Sequence, residues 1–161
     1  MGAYSEQPLS IRCAADCADI ARVRALFVEY QRWLGVSLCF QGFEQELAGL
    51  PGAYASPPGR LLLLAQQDDA GGCIALRPLD NVSAEVKRLY VRPELRGQGW
   101  GRHLVAALIA DARAIGYRSL KLDTLAHMEA ARALYADVGF RVCAPYYDNP
   151  LSDVIYMELA L

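Results

Sequence analysis

The sequence predicts a single α/β (α+β) domain, a mixed and mostly antiparallel sheet of six to seven strands flanked by about four helices. Three observations predict it. Strand-like and helix-like segments follow one another as strand, two helices, three strands, helix, strand, helix, two strands. A strand at residues 84–91 runs through a glycine-rich turn into a long amphipathic helix, and the strand after that helix must lie parallel to the first, because a crossover separates them. The 161 residues contain no internal repeat and no second domain. The expected domain spans residues 9–161, with residues 1–8 a flexible start.

Residues 9–13 read as a short strand. Asp16 can cap the next helix, with Asp19 at the box position, and Ile20, Val23, Phe27 and Tyr30 give that helix an apolar face up to Gly35. Residues 43–50 form a second, short helix closed by Pro51-Gly52. The prolines and glycines of residues 51–59 leave no room for a regular element. Residues 60–67 and 72–77 are strands, joined by a hairpin turn at Asp68-Asp69-Ala70-Gly71.

The central unit follows. Val86, Leu89, Tyr90 and Val91 make residues 84–91 a strand, and Pro93 stops its ladder for want of an N–H. Glu85, Lys87 and Arg88 interrupt the apolar run, and polar groups inside a core strand need partners or a pocket. From residue 101 on, Leu104, Ala107, Leu108, Ala112 and Ile115 recur at helical spacing, and Gly116 fits the position just past the helix end. Residues 118–123 are the parallel strand. A last helix spans residues 128–137, and residues 140–143 and 153–159 are the final antiparallel strands around a loop at residues 144–151.

Between strand and helix lies Arg96-Gly97-Gln98-Gly99-Trp100-Gly101. Glycines at alternate positions let the backbone approach a ligand, and a helix N-terminus offers unpaired N–H groups and a favourable dipole to an anion. Arg96 and Arg102 add charge on either side. A Walker A loop would need Lys and then Ser or Thr where Arg102 and His103 stand, and a Rossmann fingerprint would need glycine at 102. A phosphate or pyrophosphate cradle and a plain tight turn both remain open on the local pattern.

Composition narrows the class. With 54% hydrophobic and 21% charged residues, the chain is globular and not disordered. A formal net charge of −2 argues against nucleic-acid binding as its main task. No wholly apolar run, such as residues 61–65, comes near the about 20 residues of a membrane helix, and no secretory leader is visible. Five scattered cysteines, with no His or further Cys near the closest pair, imply a reducing, cytoplasmic setting and no metal.

Arg96-x-x-Gly99-x-Gly101 is similar to the R/Q-x-x-G-x-G/A motif of the GCN5-related N-acetyltransferases, the GNAT superfamily. Ala131-Arg132-Ala133-Leu134-Tyr135 with Val138-Gly139-Phe140 resembles that family's "LY…GF" signature, and the likeness extends from about Ile11 to Leu161. The resemblance implies acetyl-CoA as acyl donor, a small-molecule primary amine or amino-acid-like acceptor, direct attack without a covalent intermediate, and a homodimer. It also implies a sheet splayed between the central strand and its parallel neighbour. By the same resemblance, the backbone at Leu89, Tyr90 and Val91 would meet the pantetheine arm, and Arg96, Gly97, Gln98, Gly99, Trp100, Gly101 and Arg102 the pyrophosphate.

Glu85 resembles the glutamate that several family members use as general base, and is otherwise a strand residue paired with Lys or Arg. Tyr135 matches the tyrosine near the coenzyme sulfur and would be the general acid, or else a packed aromatic. Tyr30, Trp33, Tyr54, Tyr146, Tyr147, Asp148 and Asn149, from the first helices and the late loop, are acceptor-side candidates. Asp148 and Glu85 could attract a cation, whereas Arg77 could equally bind a substrate carboxylate, so the polarity of the acceptor stays open. His127 reads as a cap or a surface residue. A non-catalytic acyl-CoA-binding sensor with the same fold stands as the alternative, since the glycine turn serves both.

Overall fold

The computed structural model describes residues 7–161. Of the flexible start expected over residues 1–8, residues 1–6 lie outside the described residues. Strand β1 (Ser10–Cys13) leads into α1 (Cys17–Leu34) and α2 (Phe43–Gly49), and then β2 (Arg60–Gln66), β3 (Asp69–Pro78) and β4 (Ser83–Val91) follow as a meander. After them come α3 (Trp100–Ile115), β5 (Ser119–Leu125), α4 (Glu129–Asp137), β6 (Arg141–Cys143) and β7 (Val154–Ala160). The seven strands form one sheet in the order β1-β2-β3-β4-β5-β7-β6, antiparallel except for the β4–β5 pair. The mixed, mostly antiparallel seven-stranded sheet with four helices is thus as the sequence predicts.

Period-two alternation sorts the strand residues between two cores. Leu62, Leu64, Ile74 and Leu76 face Leu104 and Leu108 of α3. Leu61, Leu63, Cys73 and Ala75 face Val23 and Phe27 of α1 on the other side. Because both faces are covered, β2 and β3 read as nearly continuous apolar runs. The caps follow the sequence: Asp16 accepts the amide of Asp19 at 2.8 Å, and Gly35 and Gly116 end α1 and α3 in the left-handed region.

Three local expectations need correction. Asp19 does not complete a capping box. Its carboxylate binds Arg12 and Arg22, each at 2.8 Å, because a short Asp side chain finds better partners in two nearby guanidinium groups. The β2–β3 turn is Gln67-Asp68, not residues 68–71, since Gln66 pairs with Asp69 and Gln67 takes the positive φ of 53°. Gly71 then sits in the register shift between Leu64 and Ala65 as the extra residue of a bulge. Finally, residues 51–59 do contain an element, a 3-10 turn at Gly52–Tyr54 that buries Tyr54 against α1.

Two irregularities shape the sheet centre. β4 and β5 pair only at Ser83↔Ser119, Ala84↔Leu120 and Glu85↔Lys121, and beyond those pairs the two strands part. On its other side β4 carries one extra residue against β3, because Cys73 pairs with Tyr90 while Ala75 pairs with Lys87. Arg88, at this bulge, has φ 60°, an uncommon conformation for a residue with a side chain.

Candidate functional site

The divergence of β4 from β5 opens a cleft of about 500 Å³. Its floor is the α3-side face of β4, with Val86, Leu89 and Val91, and α4 supplies Leu134 and Tyr135. On the β5 side of β4, past Glu85, half of the backbone N–H and C=O groups lose their strand partner. They are free to bind an extended ligand laid in the gap.

At one end of the cleft stands the glycine turn. Gly97 and Gly99 hold φ of 77° and 85°, and nothing lies within 4 Å of where a Cβ would stand at either. The cradle is therefore open, and left-handed backbone is what requires glycine there. Gly101 has a different role: a Cβ would come 3.3 Å from Leu134, so its lack of a side chain lets α4 pack against the start of α3. Gly99 caps α3 without any side-chain hydrogen bond, leaving the first-turn amides unpaired. Arg96 lies with its guanidinium 4.8 Å from the Trp33 ring centre and 5.6 Å from that of Tyr90, while its Nε donates to the Val91 carbonyl at 2.8 Å. Trp33 thus shelves Arg96 at the rim. The more exposed Arg102 lies 3.5 Å from Asp137.

The other end is ionic. Arg88 donates to Glu46 twice, at 2.9 and 3.1 Å, and Glu46 also accepts the Tyr54 hydroxyl at 2.8 Å. Lys87 donates to Gln41 at 3.1 Å, and its nitrogen is 3.8 Å from Glu85. Burial, and then the neighbouring Arg88 charge, push the Lys87 ammonium below its ordinary pKa. Glu85 is fully buried: one oxygen accepts Arg77 at 2.7 Å and the other accepts Tyr146 at 2.5 Å. Across the gap, Asp123 on β5 accepts Tyr147 at 2.6 Å and Asn149 at 3.2 Å, both on Oδ2. Burial, with smaller contributions from Tyr30 and Asp123, raises the Tyr135 phenol, so it carries its proton at neutral pH.

The structure brings together on the cleft wall Leu89, Tyr90, Val91, Arg96, Gly97, Gly99, Trp100, Gly101, Arg102 and Tyr135, with Tyr30, Trp33 and Asn149 from the acceptor-side set. Gln98 is not on the wall; it is exposed, and its amide donates to the Glu94 carbonyl at 3.3 Å. Glu85, Arg77, Tyr146 and Tyr147 stand behind the wall as a hydrogen-bonded layer, and Asp148 is exposed. Tyr54 lies in the core beneath Glu46, and His127 is at the surface beside Asp153.

Sequence reasoning missed Asp123, Lys87, Arg88 and Gln41 as wall residues. A signal existed for three of them. Charges stood at inward positions of two strands that a crossover makes parallel, and charge inside a sheet that is covered on both faces needs a pocket. Among the described residues, no group of three or more His, Cys, Asp or Glu is placed to hold a metal ion. Nor is any helix among them long and apolar enough to cross a membrane.

Comparison with known proteins gives a consistent result. Residues 23–140 match the acetyltransferase (GNAT) family. An uncharacterised N-acetyltransferase of Schizosaccharomyces pombe is 39% identical over 147 residues, which cover 89% of this chain and 89% of that protein. The fold superposes on an acetyltransferase of Streptococcus agalactiae with a TM-score of 0.81 at 20% identity, over 96% of this chain and 99% of the other. A GNAT family acetyltransferase of Elizabethkingia anophelis, solved with acetyl-CoA bound, is 25% identical with a TM-score of 0.56, over 65% of this chain and 78% of its own.

Proposed function

The chain belongs to the acetyltransferase (GNAT) family, and from that premise we propose that it is an acetyl-CoA-dependent N-acetyltransferase. Its acceptor would be the primary amine of a small molecule or an amino-acid-like compound, which attacks the thioester directly. One observation carries this reading: a continuous cleft runs from an uncapped, glycine-lined helix N-terminus to the split between β4 and β5, where a protonated tyrosine stands. The bound acetyl-CoA of the Elizabethkingia anophelis relative supports the choice of donor.

The residues present fit that donor. The open turn at Gly97 and Gly99, the free amides at the start of α3 and the Arg96 guanidinium suit a pyrophosphate. The unpaired edge of β4 suits the pantetheine amides, and an N–H there would hold the oxyanion that forms when the amine attacks.

For the proton transfers, Asp123 is the carboxylate that reaches the cleft, with Oδ1 unused by Tyr147 and Asn149. Asp123 takes a proton from the acceptor ammonium, and the freed nitrogen forms its bond to the thioester carbon. As the C–S bond breaks, Tyr135 gives its proton to the leaving thiolate and the nitrogen loses its second proton to solvent, which leaves the neutral amide. The phenolate then takes a proton from solvent and Asp123 releases its own there. Glu85, with both oxygens engaged by Arg77 and Tyr146, acts as a positioning residue behind Lys87.

The test is a melting-temperature measurement with acetyl-CoA, then thiol release across a panel of primary amines. We expect acetyl-CoA to raise the melting temperature and at least one amine to release CoA. Tyr135→Phe should lower kcat by about tenfold to a hundredfold, at the weak end of acid catalysis because a thiol of pKa about 8.5 is an easy leaving group. Absence of any acetyl-CoA effect would overturn the reading. Binding with no turnover on any amine would favour the sensor.

A further inference from the structure

The acceptor end of the cleft contains two ions whose charge, among the described residues, nothing on its walls neutralises. Arg88 has Glu46 to itself, and Arg77 has Glu85 at 2.7 Å. Lys87 is left with the same Glu85 at 3.8 Å, beyond hydrogen-bond length and already matched by Arg77. Its only hydrogen bond on the wall side goes to the neutral amide of Gln41, so ammonium donors remain for a ligand. Asp123 accepts only from a phenol and an amide, both neutral, and both on Oδ2.

The strand register explains why these two ions stand where they do. Glu85 pairs with Lys121 in the last rung of the β4–β5 ladder. One more rung on the same face would set Lys87 against Asp123 across the usual strand spacing of about 4.8 Å, where they would form an ion pair. The strands diverge just there, and both side chains line the gap instead. The divergence therefore separates a cation from an anion and leaves room for a molecule between them. Each is an ion in a largely buried site with unmet demand for a counter-charge.

We infer that the acceptor is a small amino carboxylate, with its ammonium on Asp123 and its carboxylate on Lys87. This rests on the transferase reading above and narrows it. The orientation is fixed by the rest of the wall. Asp123 stands near enough to Tyr135 for its charge to help raise that phenol, and the thioester must sit by Tyr135, so the amine belongs there. Lys87 lies on the side of Gln41, to which it donates, so the carboxylate belongs there. A diamine would bring its second ammonium against Lys87, and a plain alkylamine would leave Lys87 unmatched.

The experiment compares each of the twenty common L-amino acids with its carboxamide and with the amine lacking the carboxyl group, by thiol release from acetyl-CoA. At least one free acid should exceed its amide and its decarboxylated amine by about tenfold to a hundredfold in kcat/KM, the worth of a single charge-assisted hydrogen bond. Lys87→Met should bring that acid-to-amide ratio to within about twofold, and Lys87→Arg, which keeps the charge, should retain most of it. The wild-type comparison stands even if Lys87→Met fails to fold. Amides or simple amines used as well as the acids would overturn the inference while leaving the transferase reading intact. So would turnover of other amines with no amino acid used at all. Loss of acetyl-CoA binding itself would instead strike at the transferase reading.

Discussion

Replacing Glu46 with alanine should be among the most damaging single changes in this protein. The Arg88 side chain is 3% exposed, and its two bonds to Glu46 measure 2.9 and 3.1 Å. The Phe43 and Tyr30 ring centres stand 5.3 and 5.9 Å from its Cζ, so the flanks offer π-faces and no other carboxylate. Glu46→Ala strands a buried guanidinium and also removes the acceptor of the buried Tyr54 hydroxyl. Breaking one partner of a buried pair costs about 3–5 kcal/mol, and the lost phenol bond falls inside that figure because one carboxylate serves both. For a chain of this size, each kcal/mol moves the melting point by about 2–4 °C, so a drop of roughly 10 °C is expected. Urea unfolding followed by far-UV circular dichroism gives the free energy directly. The double variant Glu46→Leu/Arg88→Met should recover most of the loss, since apolar replacement of a whole buried pair is often neutral. A Glu46→Ala cost below about 1 kcal/mol, or a double variant no more stable than the single, would refute the reasoning.

Gly99→Ala places a methyl in the open cradle on backbone of φ 85°, at a conformational cost of about 1–2 kcal/mol. It should lower the melting point by a few degrees but raise the Kd for acetyl-CoA at least about tenfold. An unchanged Kd by calorimetry would remove the turn from the donor site. Asp19 is held below the usual carboxylate range, first by its hydrogen bond from Arg12 and then by Arg22, against the opposing effect of burial. A depressed folded pKa contributes stability that is fully present above the unfolded value of about 3.9 and is lost as pH falls through the folded one. Asp19→Asn should therefore destabilise the protein at pH 7 and flatten the acid limb below about pH 4, which urea midpoints from pH 7 down to pH 3 would reveal. A limb as steep as that of the native protein would place the titrating carboxylate elsewhere.

The sequence by itself determined every strand and helix to within a few residues, because those signals act over one or two turns of chain. Asp16 and Gly35 bound α1, Gly116 ends α3, and near-continuous apolar runs among residues 60–77 mark two buried strands. The glycine turn was legible for the same reason: positive φ at Gly97 and Gly99 is a local requirement. The miscalled β2–β3 turn shows the limit even there, since Gly71 looked like a turn residue and is a bulge residue fixed by its pairing with the neighbouring strand.

Only the tertiary structure decided what the charges of β4 do. Glu85 reads locally as a base facing a cleft or as a strand residue paired with Lys or Arg, and only the fold shows that Arg77 on the adjacent strand and Tyr146, 61 residues away, take up its oxygens. Arg88 reads as a charge inside a core strand that needs a partner, and that partner, Glu46, lies 42 residues away. Asp123 looks like the polar end of a strand, and becomes a wall of the cleft only because β5 leaves β4 after Lys121. A charged side chain is defined by its partner, and partners far apart in sequence are chosen by the packing of the whole sheet. Residue pattern could therefore locate the donor end of the cleft, whereas the acceptor end had to wait for the parting of two strands.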